Sequence, residues 1–194
     1  RPHLYPVLEQ CGFDEEARLK EHCKFEGRYL DVVYHAKTNR KLTFRNAELK
    51  DLDLYFEWTN DPDVRSFSYN TEVVPYENHV QWFTAKLQDD ACLMLVFQDH
   101  DFQEVGQVRI QKGENNTAVI GVSTDKNQRG KGFAAQMIEK ASAVFLEANP
   151  NTIIDAYIKT DNPASAKAFE KAGYVLKETI DYMNVESFHY IKKI

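Results

Sequence analysis

Ile120-Gly121-Val122-Ser123-Thr124-Asp125-Lys126-Asn127-Gln128-Arg129-Gly130-Lys131-Gly132-Phe133-Ala134 is the most informative segment of the chain. It reads as a strand, a short glycine-containing loop and the start of a helix. The first turn of a helix carries backbone N–H groups without intrahelical partners and a partial positive charge. Glycine lets a phosphate approach that backbone closely, and Arg129 and Lys131 add positive charge. The segment therefore suits a pyrophosphate cradle. The plain alternative is a tight strand-to-helix loop. Neither GxxxxGK followed by Ser or Thr nor GxGxxG occurs, so the two common nucleotide-binding loops are excluded.

Downstream, Ala134, Met137, Ile138, Ala141 and Phe145 recur at helical spacing over residues 132–147. Residues 152–158 form an isoleucine-rich strand. Asn162-Pro163 then opens a helix with a cap residue and a proline in its first turn, and Gly173 closes it. Two strand-like segments follow, 174–182 and 186–192. Upstream, residues 118–124, 105–110 and 93–97 read as strands, with Gln107 and Arg109 on the opposite face from Val108 and Ile110. Pro75 fits the first turn of a helix with Tyr76, Val80, Phe83 and Leu87 on one face. Asp51 is placed to cap an earlier helix carrying Leu52, Tyr55 and Phe56 inward, ended by Asn60-Asp61-Pro62. Residues 42–45 make a first short strand. The sum is an α/β (α+β) domain over residues 42–194, a mixed sheet with helices on its faces.

Arg129-Gly130-Lys131-Gly132-Phe133-Ala134 matches the R/Q-x-x-G-x-G/A signature of the GCN5-related N-acetyltransferase (GNAT) family, and residues 42–194 resemble that family's domain in length and element order. The resemblance implies the acyl-CoA N-acyltransferase fold, with a mostly antiparallel central sheet. It implies acetyl-CoA as cosubstrate and no metal. Arg129, Gly130, Lys131, Gly132, Phe133 and Ala134 would bind the pyrophosphate through backbone amides. Val122, Ser123 and Thr124 would run beside the pantetheine arm, where one N–H polarises the thioester carbonyl. Asn162 reads both as a helix cap and as a contact to that arm. The family's usual tyrosine acid falls at Phe169 and its glutamate base at Val119. The catalytic residues therefore stay unassigned, and direct attack by a positioned amine is expected.

Trp58-Thr59-Asn60-Asp61-Pro62-Asp63-Val64-Arg65, Asn70-Thr71-Glu72, Glu77-Asn78-His79, Trp82-Phe83 and Gly106-Gln107-Val108-Arg109 resemble, in this order, a subgroup that acetylates nucleotide-linked amino sugars, as in pseudaminic-acid-type biosynthesis. The resemblance implies substrate contacts at Arg65, Asn70, Glu72, His79 and Arg109. A nucleoside diphosphate needs cations, which singles out Arg65 and Arg109. Trp58, Phe67 and Trp82 are expected in the core, and Asn60 and Asp61 in a turn. Acetylation of a protein N-terminus or a polyamine is the alternative activity. A CoA-binding scaffold without turnover is the alternative class.

The net charge of −6 argues against nucleic acid as a partner. No apolar run reaches the roughly 18 residues of a membrane helix. Cys11, Cys23 and Cys92 show neither a disulfide framework nor zinc-site spacing, so a cytoplasmic setting is the simpler reading. At one offset of 161, Pro2, Glu9 and Gly12 match Pro163, Glu170 and Gly173, and Phe13 falls on Tyr174. Residues 1–41 are thus expected to be the helix and strand hairpin that close a related, upstream acetyltransferase-like domain. They are also expected to pack between chains as a homodimer contact.

Overall fold

The computed structural model describes residues 4–10, 13–36 and 42–193. The chain divides into two compact units, Arg1–Lys41 and Leu42–Ile194. In the first, a short helix α1 (Tyr5–Gln10) leads into a hairpin of β1 (Asp14–Phe25) and β2 (Arg28–Ala36). Phe25 pairs with Arg28 across a two-residue turn. Glu26 and Gly27 both take positive φ there, the twist that suits a tight hairpin. Pro2, Cys11 and Gly12 lie outside the described residues.

The second unit runs β3 (Thr43–Asn46), α2 (Leu52–Asn60), α3 (Pro62–Phe67), α4 (Tyr76–Leu87), β4 (Cys92–Gln98), β5 (Glu104–Lys112), β6 (Thr117–Thr124), α5 (Phe133–Ala148), β7 (Ile153–Lys159), α6 (Pro163–Lys171), β8 (Val175–Tyr182) and β9 (Val185–Lys192). Its sheet has the order β3-β4-β5-β6-β7-β9-β8. Every pair is antiparallel except β6–β7. Period-two alternation sorts the side chains into two layers. Leu95, Phe97, Val108, Ile110, Ala118, Ile120, Ile154, Ala156 and Ile158 face Met137, Ile138, Ala141 and Phe145 of α5 and Phe169 of α6. On the other face, Met94 and Val96 pack with Tyr55, Trp58 and Phe83 from α2 and α4. That second layer lies over β4 and, through Trp82, over Arg109 of β5; polar residues of β5, β7 and β9 lie on the same face of the sheet.

Local chemistry departs from expectation at several points. Asp51 makes no cap bond to α2. Its carboxylate instead accepts from Arg45 at 2.6 and 2.8 Å and from the backbone of Glu48. Asn60-Asp61-Pro62 does more than end a helix. Asp61 accepts from the N–H groups of Asp63 and Val64, and Pro62 starts α3, a helix the sequence reading missed. The inward face of α4 is His79 and Phe83, while Tyr76 is 45% exposed. Phe67, expected in the core, is 43% exposed.

Two features of the second unit recur in the first at the same offset. The N–H of Tyr174 donates to the carbonyl of Phe169 after α6, and the N–H of Phe13 donates to that of Leu8 after α1. The β8–β9 ladder has an irregularity between Leu176 and Glu178, and the β1–β2 ladder has one between Glu15 and Ala17. Among the described residues no helix is long and apolar enough to cross a membrane.

Candidate active site

Parallel strands β6 and β7 pair only over Thr117–Val119 and Ile153–Asp155. Beyond that point they part. The edge of β6 from Ile120 to Thr124 keeps its ladder with β5 but, among the described residues, meets no strand on the other side. The Thr124 carbonyl on this edge accepts from Arg129. The other backbone donors and acceptors that face the split have no strand partner among the described residues, which leaves them for a ligand. Val122 turns its side chain toward the core, and Ser123 accepts from Gln107 at 3.3 Å. Gly106 permits the close approach of β5 to this strand, because a Cβ there would meet the carbonyl oxygen of Ser123.

The strand leads into the glycine loop and α5. Gly130 and Gly132 have φ of +77° and +76°, a region that disfavours side chains, and both open onto free space. Gly132 is the N-cap of α5 and offers no side-chain acceptor, so the N–H groups of the first turn remain available. Phe133 sends its ring into the core, and Ala134 stays half-buried. Lys131 is exposed and donates to Gln128. This geometry fits a pyrophosphate. Asn162 caps α6 through the N–H of Ser165 and stands just past the C-terminal end of β7.

Arg129 differs from expectation. Its guanidinium grips Asp61 at 2.5 Å and Asp63 at 2.6 Å, and its Nε donates to the carbonyl of Thr124. Two carboxylates occupy the guanidinium expected to add charge to the cradle, so the side chain braces the loop. Trp58 braces it too. It is buried as expected, but its Nε1 donates to Asp125 at the start of the loop. Burial alone would raise the carboxyl of Asp61. Arg129 and two backbone N–H groups outweigh it and hold the group below the usual carboxylate range.

The substrate candidates separate. Arg65 donates to the carbonyls of Asn70 and Glu72 and to Ser68, so it organises the loop after α3. Burial lowers its pKa, and its Nε is buried without a partner. The side chain of Asn70 accepts from the N–H of Glu72 within the same exposed loop. His79 is 1% exposed, hydrogen-bonded to the carbonyl of Leu52 and stacked on Phe83. It is a core residue, and burial lowers its pKa. Arg109, half-buried on β5, keeps its guanidinium free of the loop carbonyls that hold Arg65. It lies over Trp82 at 5.5 Å and beside Gly121, with no carboxylate partner among the described residues. Gln107, on the same face, has a buried Oε1 without a donor.

The same face carries residues the sequence reading missed. Asp155 is the register partner of Val119, and both point away from the α5 layer that holds their neighbours. Asp155 accepts from Nε2 of His189 at 2.7 Å, and Nδ1 of His189 lies 3.5 Å from Glu178. His189 stacks on Tyr157, Tyr157 on Tyr182, and Tyr182 meets Tyr69 edge-on. Tyr69 donates to Ser187 at 2.9 Å. Phe169, at the usual acid position, is buried edge-on against Tyr174 and carries no group that could donate a proton.

Residues 41–175 match the family model described as an acetyltransferase (GNAT) domain. The chain is 27% identical over 135 residues to acetyltransferase PseH of Campylobacter jejuni, covering 69% of this chain and 82% of that protein. Its fold is similar to that of spermidine N-acetyltransferase from Vibrio cholerae, solved with CoA and spermine (TM-score 0.69, 18% identity, 77% of this chain and 93% of that one). It is also similar to aminoglycoside acetyltransferase AAC(6')-Ib, solved with coenzyme A and kanamycin (TM-score 0.66, 14% identity, 79% and 95%). With a split sheet, a glycine cradle and a family model that spans most of its length, the chain belongs to the GNAT family and is an acetyl-CoA-dependent N-acetyltransferase.

Proposed function

We propose that the acceptor is the amino group of a nucleotide-linked amino sugar. The observation that carries this reading is Arg109, a guanidinium beside Gly121 with no carboxylate partner among the described residues. A diphosphate offers such a cation two or more acceptor oxygens. The tyrosine row of Tyr69, Tyr182 and Tyr157 supplies flat apolar surface for a sugar ring. The similarity to PseH supports the same assignment. Gly130, Gly132 and the first turn of α5 would hold the pyrophosphate of acetyl-CoA. The free edge of β6 at Val122–Thr124 would hold its pantetheine arm, with Asn162 beside it.

A polyamine acceptor is the second reading, favoured by the carboxylates of Asp155 and Glu178 on this face. Uridine diphosphate separates the two. On the amino-sugar reading it inhibits transfer competitively against the amine and not against acetyl-CoA, and Arg109→Ala weakens that inhibition about tenfold. Absence of inhibition at millimolar UDP, with spermidine acetylated, would replace the amino sugar by a polyamine. The free thiols of Cys23 and Cys92 support a cytoplasmic setting.

A further inference from the structure

The family's glutamate position is Val119, whose side chain cannot take a proton. We infer that the general base has moved one strand across, to Asp155, with His189 as its positioning residue. This rests on the acetyl transfer assigned above and does not depend on which amine is the acceptor.

The placement follows from register. Val119 and Asp155 are the last paired residues before β6 and β7 part, so Asp155 stands at the apex of the split. In a parallel pair, register partners project to the same side of the sheet. Ala118, Ile120, Ile154 and Ala156 all lie in the α5 layer, which turns Val119 and Asp155 to the opposite, acceptor side. A carboxylate on either strand can therefore serve the same point in space.

The chemistry of the pair supports the role. Oδ1 of Asp155 accepts from His189, which fixes the carboxylate. No donor among the described residues reaches Oδ2, and that atom is not sealed from solvent. His189 is itself fixed by the ring of Tyr157 and lies near Glu178, which is half exposed and gives an outlet to water. The titratable and charged groups around Asp155 are His189 and Glu178, the tyrosines Tyr157, Tyr182 and Tyr69, and Tyr174 behind the sheet. A buried carboxylate–histidine pair far from any ligand would be a costly structural choice. At the apex of the split it has work to do.

The step balances without a further reactant. An ammonium acceptor gives one proton to Oδ2 of Asp155. The neutral nitrogen forms a bond to the acetyl carbonyl carbon, the C–S bond breaks, and a second proton passes from nitrogen to sulfur. The proton on Asp155 returns to water.

The test compares two acceptors in the full chain: the primary amine acetylated fastest among a UDP-linked amino sugar, spermidine and a peptide, and hydroxylamine, which is uncharged at neutral pH. Asp155→Asn should lower kcat for the charged amine by about 10²–10⁴-fold at pH 7, leave acetyl-CoA binding unchanged, and recover as pH rises toward the amine's own pKa. With hydroxylamine the loss should be under about tenfold. Adding Val119→Glu to the Asp155→Asn chain should restore part of the lost rate. His189→Gln, which keeps the carboxylate, should lose about tenfold in kcat with KM little changed. Equal losses on both acceptors at every pH, an Asp155→Asn chain as active as wild type, or a full rate from His189→Gln should Asp155→Asn not fold would each overturn the assignment. A wild-type chain that ignores the UDP-linked sugar but acetylates another amine removes the acceptor reading and leaves the base to be decided on that amine.

Discussion

Single side chains decide most of the site, and several changes isolate them. Gly132→Glu puts a side chain into a left-handed position and a negative charge into the cradle. Acetyl-CoA affinity by calorimetry should fall at least about 100-fold, equivalent to about 2.8 kcal/mol. Unchanged affinity with an intact fold would move the pyrophosphate elsewhere. Cys92 sits half-buried on β4, and burial raises its thiol pKa, which keeps it protonated at neutral pH. Cys92→Ala should therefore retain most of its rate. A stable acetyl-cysteine at position 92 on the turnover pathway, seen by mass spectrometry, would contradict direct transfer.

At the scale of elements, the short helix α3 ties the cofactor loop to the rest of the fold. Asp61 caps α3 and also holds Arg129, with Asp63 as a second anchor. The depressed pKa of Asp61 fixes the sign of its pH dependence. Its contribution is present above the unfolded carboxylate pKa and is lost as pH falls through the lower folded value. Thermal melts between pH 7 and pH 3 should show this loss, and Asp61→Asn should flatten part of the slope. A slope identical in the two proteins would detach Asp61 from the stability of the loop. The glycine loop, both flanking elements and α6 with its Asn162 cap were legible in the sequence, because their signals are local: spacing, a cap, a proline, a glycine. Helix α3 was not, since Asn60-Asp61-Pro62 serves equally as a stop and as a start. His79 shared a helical stripe with Trp82, and nothing local distinguished core from site. Asp155 and His189 are 34 residues apart and meet only through the β7–β9 register. Their one local trace is a charged residue inside an isoleucine-rich strand and a histidine between two aromatics.

For the whole molecule, we propose that residues 1–41 are the closing part of a related domain, on the ground of one hydrogen bond and one ladder irregularity that recur at the same offset in α6, β8 and β9. Phe25, Tyr29, Leu30 and Tyr34 are each at least 44% exposed in that unit, and an isolated hairpin is marginal in water. Removing residues 1–41 should leave a folded domain that binds acetyl-CoA, because unit 42–194 has its own sheet and core. If the hairpin pairs between copies, light scattering will give a different mass for the shortened chain. Equal masses exclude that role, and loss of folding would make the hairpin part of the core. The direct measurement of acetyl transfer mixes the pure chain with acetyl-CoA and a UDP-linked amino sugar, spermidine or a peptide amine, following free thiol and product mass together. With the proposed acceptor, one acetyl group should appear on the sugar nitrogen per thiol released, faster than on the other amines. Thiol release without an acetylated amine, or preference for the peptide, would contradict that proposal.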